Sequence, residues 1–176
     1  GDAVTQSAKG ALLAAYNDAA GRAVSLVIAG GTDIGGQTLQ AGVYSSASSL
    51  ALSGTLTLDA QGDPDAVFII QMGSTLTTAT GSRVSLINGA QAANVIWQIG
   101  SSATLATDSY FVGSLLALTS ITLNTRATVD GRMLALNGAV TFDNNSLSVP
   151  EAGTVQLLGL GLAALAAFSR RFAPLA

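Results

Sequence analysis

An internal repeat of 18 residues constrains this chain more than any other feature of its sequence. Ala103-Thr104-Leu105-Ala106-Thr107 recurs as Ile121-Thr122-Leu123-Asn124-Thr125. The same offset pairs Phe111 with Val129, Gly113 with Gly131, and Leu116-Ala117-Leu118 with Leu134-Ala135-Leu136. A further copy runs through Val140-Thr141-Phe142 and Ser146-Leu147, with one residue gained at a corner. Upstream, Thr55-Leu56-Thr57 and Thr75-Leu76-Thr77 read as the same rung, separated by longer coils. Short Leu, Ile, Val and Thr runs punctuated by Gly, Asn, Asp and Ser are strands with tight turns. Three such strands per repeat predict a mainly β fold, a parallel β-solenoid of three faces whose coils stack ~4.8 Å apart.

Alternation with a period of two assigns the faces. On the first, Leu56, Leu76, Leu105, Leu123 and Phe142 point inward. Thr55, Thr75, Thr104, Thr122 and Thr141 form an outward ladder, beside a column of Thr57, Thr77, Ala106, Asn124 and Asp143. On the second, Val84, Phe111, Val129 and Leu147 point inward, and Arg83, Tyr110, Thr128 and Ser146 outward. The third is apolar at consecutive positions (Val67-Phe68-Ile69-Ile70, Val95-Ile96-Trp97, Leu115 to Leu118, Met133 to Leu136), so it is buried on both sides.

The cover for that third face is the N-terminal segment. Val4, Ala8, Ala11, Leu12, Ala15 and Ala19 recur at helical spacing, with Asp2 placed to cap the start and Gly21 the end. A helix of that length, ~27 Å, matches five or six rungs. The predicted organisation is a helix over 1–22, a solenoid over 23–149 and a C-terminal tail over 150–176.

Composition narrows the chemistry. The chain of 176 residues has no Cys and no His, so thiolate nucleophiles, the commonest metal ligand and the usual general base are missing. Seven scattered cations and a net charge of −3 argue against a nucleic-acid partner. Asp59, Asp63 and Asp65 cluster, but Gly62-Asp63-Pro64 is turn chemistry without the spacing of a calcium loop. The glycines Gly30-Gly31 and Gly35-Gly36 lack the Gly-Lys-Ser/Thr of a phosphate loop. Asp108, Asp130 and Arg132 are too few for a polysaccharide-cleaving groove. The expectation is a protein without catalysis, cofactor or metal.

An uncharged Thr ladder on an open face points to a periodic, rigid, uncharged target. Threonine sets a methyl beside a hydroxyl on a nearly fixed χ1, so the row is preorganised. Ordered water meets that description, with hydroxyls anchoring waters and methyls excluding disordered ones. The candidate ice-contacting residues are Thr55, Thr57, Thr75, Thr77, Thr104, Thr122 and Thr141, with Thr107 and Thr125 at the adjoining corner. Thr128 and Ser146 supply the second face. Which open face binds is left open by the residues, since Arg83 and Tyr110 interrupt the second.

Ile34 to Tyr44, Gly54 to Pro64, Val67 to Leu76, Asn94 to Ser101 and Leu118 to Leu147 resemble the ice-binding-like antifreeze family over Ala3 to about Val149. The resemblance implies a right-handed solenoid with a helix alongside, adsorption to ice through a flat face, inhibition of recrystallisation, and secretion. An alternative is a structural or adhesive cell-surface module of the same fold without ice affinity. Beyond Val149, Pro150-Glu151 precedes an apolar run that ends at Arg170-Arg171. This tail resembles the PEP-CTERM sorting signal, with Ala152 in place of that motif's second Pro. It implies export, transient membrane anchoring and a membrane sorting protease as partner.

Overall fold

The computed structural model describes residues 2–149. The sorting-tail residues Pro150, Glu151, Arg170 and Arg171 lie outside them. The described chain opens with helix α1 (Ala3–Gly21). Asp2 caps it as expected, its Oδ1 accepting from the Thr5 amide at 2.8 Å and the Thr5 hydroxyl at 2.7 Å.

Fifteen strands follow among the described residues, and every pairing is parallel. They form successive layers, each visiting the third, first and second face in turn. The first layer holds β1 (Leu26–Val27) and β2 (Thr38–Gln40), and between them Asp33 bridges to Ala51 of the next layer. The second holds β3 (Gly42–Ser46), β4 (Leu50–Leu52) and β5 (Thr55–Asp59). The third holds β6 (Phe68–Met72), β7 (Leu76–Thr78) and β8 (Arg83–Ile87). The fourth holds β9 (Val95–Ile99), β10 (Ala103–Leu105) and the first half of β11 (Tyr110–Ala117). The second half of β11 opens the fifth layer, followed by β12 (Ile121–Leu123) and β13 (Thr128–Ala135). β13 bends likewise into the sixth, which ends with β14 (Val140–Thr141) and β15 (Ser146–Ser148). The first face is a separate five-stranded sheet, β4-β7-β10-β12-β14.

Glycine makes the bends in β11 and β13 possible. Gly113 has φ +109° and Gly131 φ +152°. A Cβ on Gly113 would lie 2.7 Å from Val95, and one on Gly131 2.0 Å from the Gly113 carbonyl oxygen. No other residue type fits either demand without strain.

The core fills the space between the three faces. Phe68, Ile70, Trp97, Phe111, Leu115 and Val129 are buried completely or nearly so, and each such side chain contributes about 1.5–3 kcal/mol. Trp97 and Phe111 meet with ring centroids 4.7 Å apart and planes tilted by 49°. The Trp97 indole N–H donates to the Val112 carbonyl at 3.0 Å, so its one polar atom is satisfied.

The third face is covered by α1 in its middle layers. Leu12, Tyr16 and Ala19 pack on Val43, Ile69, Ile96 and Leu116. The expected stripe is therefore shifted: Tyr16 belongs to it, and Val4 is 76% exposed. Two buried glutamines hold the helix. Gln71 Nε2 donates to the Ala19 carbonyl at 2.8 Å and the Arg22 carbonyl at 3.1 Å, satisfying acceptors that a helix end leaves unpaired. Gln98 Nε2 donates to the Tyr16 hydroxyl at 2.7 Å. In the last layer the cover thins: Leu134, which lines a pocket with Ala15 and Ala19 of the helix, is 36% exposed.

The inward columns differ from expectation in three ways, the first being that Leu76 lies opposite Ala103 and so stands apart from Leu105 and Leu123. Thr55-Leu56-Thr57 lies on the second face, so Leu56 stacks under Val84 and not beside Leu76. Phe142 and Leu147 are 53% and 47% exposed, because no further described layer stacks on the sixth. Phe142 also sits where the register slips. Thr122 pairs with Thr141, an offset of 19, whereas Thr128 pairs with Ser146, an offset of 18.

Candidate functional site

The first face carries one outward column in continuous register: Ala51, Thr77, Thr104, Thr122 and Thr141. Leu50, Leu76, Ala103, Ile121 and Val140 lie inward on one side of it, with Leu52, Leu105 and Leu123 on the other. The burial pattern of β4, β10 and β12 alternates accordingly. Because parallel pairing holds each Cα opposite its neighbour, the methyls and hydroxyls recur at the ~4.8 Å strand spacing.

Small residues flank this column. Thr75, Ser102, Ser120 and Ala139 stack on one side, their carbonyls accepting from Leu50, Leu76, Ala103 and Ile121 at 2.9–3.1 Å. Thr75 therefore belongs to this flank rather than to the central column, whose member in that layer is Thr77. Thr78 turns inward at 4% exposure, and its Oγ1 accepts from the Ala106 amide at 2.8 Å. That buried hydroxyl occupies a core position that the sequence reading did not identify. At the corner, Thr107 is half-buried. Thr125 is engaged within the protein, its hydroxyl donating to Asp143 Oδ2 at 2.5 Å.

Charges on the first face sit at its ends. Asp33 accepts from the Ser53 hydroxyl, from the Gly35 amide at 2.8 Å and from the Ser53 amide at 2.9 Å. The Ser53 hydroxyl, then the two amides, hold its carboxyl below the usual carboxylate range. Arg126 meets Asp108 at the corner, with Nε–Oδ1 and Nη2–Oδ2 both 2.7 Å. That hydrogen bond is the main reason why the Asp108 carboxyl is lowered.

The second face holds Thr55, Thr57, Thr128 and Ser146, but not as one ladder. Thr55 lies opposite Arg83, which lies opposite Tyr110; Tyr110 lies opposite Thr128, and Thr128 opposite Ser146. Thr57 pairs with Thr38 on one side and Ser85 on the other. β8 and β11 meet at a single residue pair, after which they diverge. A notch of about 290 Å³ opens there, lined by Arg83, Ser85, Leu86, Tyr110, Val112 and Asp130.

The Asp cluster behaves as turn chemistry. Asp59 Oδ1 accepts from the Gln61 amide, and Asp63 Oδ1 from the Asp65 amide, at 2.8 and 2.9 Å. No group of three acidic residues able to hold a metal occurs among the described residues. Among them, too, no helix is long and apolar enough to cross a membrane.

Similarity to known proteins runs over the same residues. The family model described as Ice-binding-like matches residues 1–148. An ice-binding protein of Nostoc sp. (strain HG1) is 52% identical over 157 residues, covering 81% of this chain and 58% of that protein. One of Colwellia sp. is 42% identical over 137 residues, 77% of this chain and 53% of the relative. The chain thus spans little more than half the length of these relatives. Among solved structures, an ice-binding protein from the Antarctic ascomycete Antarctomyces psychrotrophicus superposes with a TM-score of 0.83 at 38% identity, covering 86% of this chain and 74% of that one. An ice-binding protein from an Antarctic biological consortium gives 0.81 at 50% identity, over 85% and 68%. The family match, the identities and the superpositions agree, and this chain belongs to the ice-binding-like family.

Proposed function

We propose that the chain binds ice and inhibits recrystallisation by adsorbing through its first face. The observation that carries this reading is the single register of Ala51, Thr77, Thr104, Thr122 and Thr141, flanked by Thr75, Ser102 and Ser120. Each Thr has its χ1 nearly fixed by the strand, so little side-chain entropy is lost on contact. Methyl groups between the hydroxyls discourage disordered water, and the hydroxyls hold waters at a regular spacing. The surface layer then merges with a growing crystal. In this reading the layers form a right-handed β-solenoid of triangular section, which keeps the face flat. Thr55, Thr57, Thr128 and Ser146 play a lesser part, because Arg83 and Tyr110 stand between them.

The test is ice-recrystallisation inhibition and thermal hysteresis with the Thr104→Tyr/Thr122→Tyr double variant. Loss of both activities is expected. Full activity would move the binding surface elsewhere, and Thr57→Tyr/Thr128→Tyr would then be the informative pair. Inactivity of the parent protein itself would favour the adhesive reading.

We further propose that Pro150-Glu151 and Arg170-Arg171 mark a sorting tail that directs export to the cell envelope. The short apolar run between them and its terminal Arg pair support this. Mass spectrometry of the mature protein would test it, with removal of the tail near Pro150 expected.

A further inference from the structure

The notch between β8 and β11 has chemistry that ice adsorption does not use. Its apolar lining comes from Val84, Leu86 and Val112. Around it stand one guanidinium (Arg83), one carboxylate (Asp130), one phenol (Tyr110) and one hydroxyl (Ser85). Among the described residues, neither charge is in an ion pair, since those found join Arg22 with Asp18 and Arg126 with Asp108, and Arg83 and Asp130 both line the notch. The carboxylates of Asp33, Asp59 and Asp63, by contrast, are tied into turns. Here the polar groups converge on a cavity.

We infer that this notch is a non-catalytic binding site for a single acidic sugar residue, a hexuronate unit of a polysaccharide. The planar guanidinium of Arg83 suits a carboxylate, which it can grip with two parallel N–H donors. Asp130 carries only acceptors, so it suits a pair of sugar hydroxyls. Tyr110 offers a flat apolar surface to the C–H face of a pyranose ring and a hydroxyl at its edge. The volume of about 290 Å³ lies at the small end of ligand pockets, which fits one ring rather than an extended chain segment. The notch opens on a solvent-facing sheet, so the rest of a polysaccharide can run outside it. This inference is independent of the first-face reading, because none of these residues belongs to the Thr ladder.

Titration calorimetry of the full chain with a glucuronate-containing oligosaccharide, against a neutral glucose oligosaccharide of equal length, tests it. Tighter binding of the acidic sugar is expected. Arg83→Gln should weaken it about tenfold and erase the preference, the usual loss for a hydrogen bond to a charged group. Asp130→Asn should weaken both sugars, and added salt should weaken the acidic one. Tyr110→Phe keeps the stacking surface and should retain most of the affinity, whereas Tyr110→Ser should not. Circular dichroism melts establish that each variant is folded, and unchanged ice activity shows that the first face is intact. Equal binding of both sugars, no binding in the millimolar range, an unaffected Arg83→Gln variant, or tighter binding of a free zwitterionic amino acid would each overturn the assignment.

Discussion

On the first face, β4, β7, β10 and β12 are each three residues long and pair without a gap. On the second, β5 and β8 are five residues long, and the next pairing, β8 with β11, shrinks to Arg83 and Tyr110 alone. Both surfaces are made from the same layers, so the difference arises at the corners. In the second and third layers the chain leaves the second face through loops 60–67 and 88–94, and its strands run to their full length first. In the fourth and fifth it turns at Gly113 and Gly131 and enters the third face at once. Where a long strand meets one that bends early, the sheet opens. An unbroken ladder thus depends on equal strand length from layer to layer, and Thr content alone does not supply it.

The sharpest way to break this contrast is to roughen each surface separately. Tyr at Thr104 and Thr122 should lower recrystallisation inhibition at least tenfold, a loss of about 1.4 kcal/mol or more of adsorption free energy. Tyr at Thr57 and Thr128 should leave it within a factor of two. Equal losses from the two pairs would mean that flatness does not select the binding surface.

The largest effect on stability, as opposed to ice activity, concerns the corner that separates the two kinds of layer. Gly113→Ala forces a Cβ to 2.7 Å from Val95 at a φ of +109° and should cost about 2–4 kcal/mol in urea unfolding. A variant as stable as the parent would show that the bend tolerates ordinary residues. Below the ladder, Thr78→Val removes the acceptor for the Ala106 amide and should cost about 1–3 kcal/mol. Ice activity should survive at temperatures where the variant stays folded.

The smallest effect is expected from pH. Asp33 and Asp108 have carboxyls lowered in the folded state, so their stabilisation is present above the usual carboxylate range. It is lost as pH falls through their lowered values, because protonation then favours the unfolded chain. Melting temperature should decline on acidification below about pH 4. The decline should be shallower in Asp33→Asn, and a parallel curve would show that Asp33 contributes nothing to it.

Much of this arrangement is legible in the residues. From Ala103 to Ser148 the layers have near-constant length, and the repeat places Thr104, Thr122, Thr141, Thr128 and Ser146 on their observed strands. Upstream, loops of unequal length intervene, and a Thr-Leu-Thr triplet alternates equally well on any face. By composition Thr55-Leu56-Thr57 therefore resembles Thr75-Leu76-Thr77, although its neighbour is Arg83-Val84-Ser85. The apolar Val84 between two polar residues was the available clue. Tyr16 escaped the helix stripe for a similar reason: small alanines fit helical spacing on several sides, and only the third face decides which side is used. The notch had no sequence signal, because it arises from a mismatch between strands 27 residues apart in the chain, Arg83 to Tyr110.

The offset of 18 between β10 and β12 has an evolutionary consequence. A segment such as 105–122 begins and ends at equivalent backbone positions, with its inward Leu, outward Thr and corner turn all included. Duplicating it in frame would splice in one more storey without altering the joints on either side, and deleting it would remove one as cleanly. The footprint of such a molecule can therefore be lengthened or shortened in whole steps by simple unequal recombination, with no need to reinvent the edges each time.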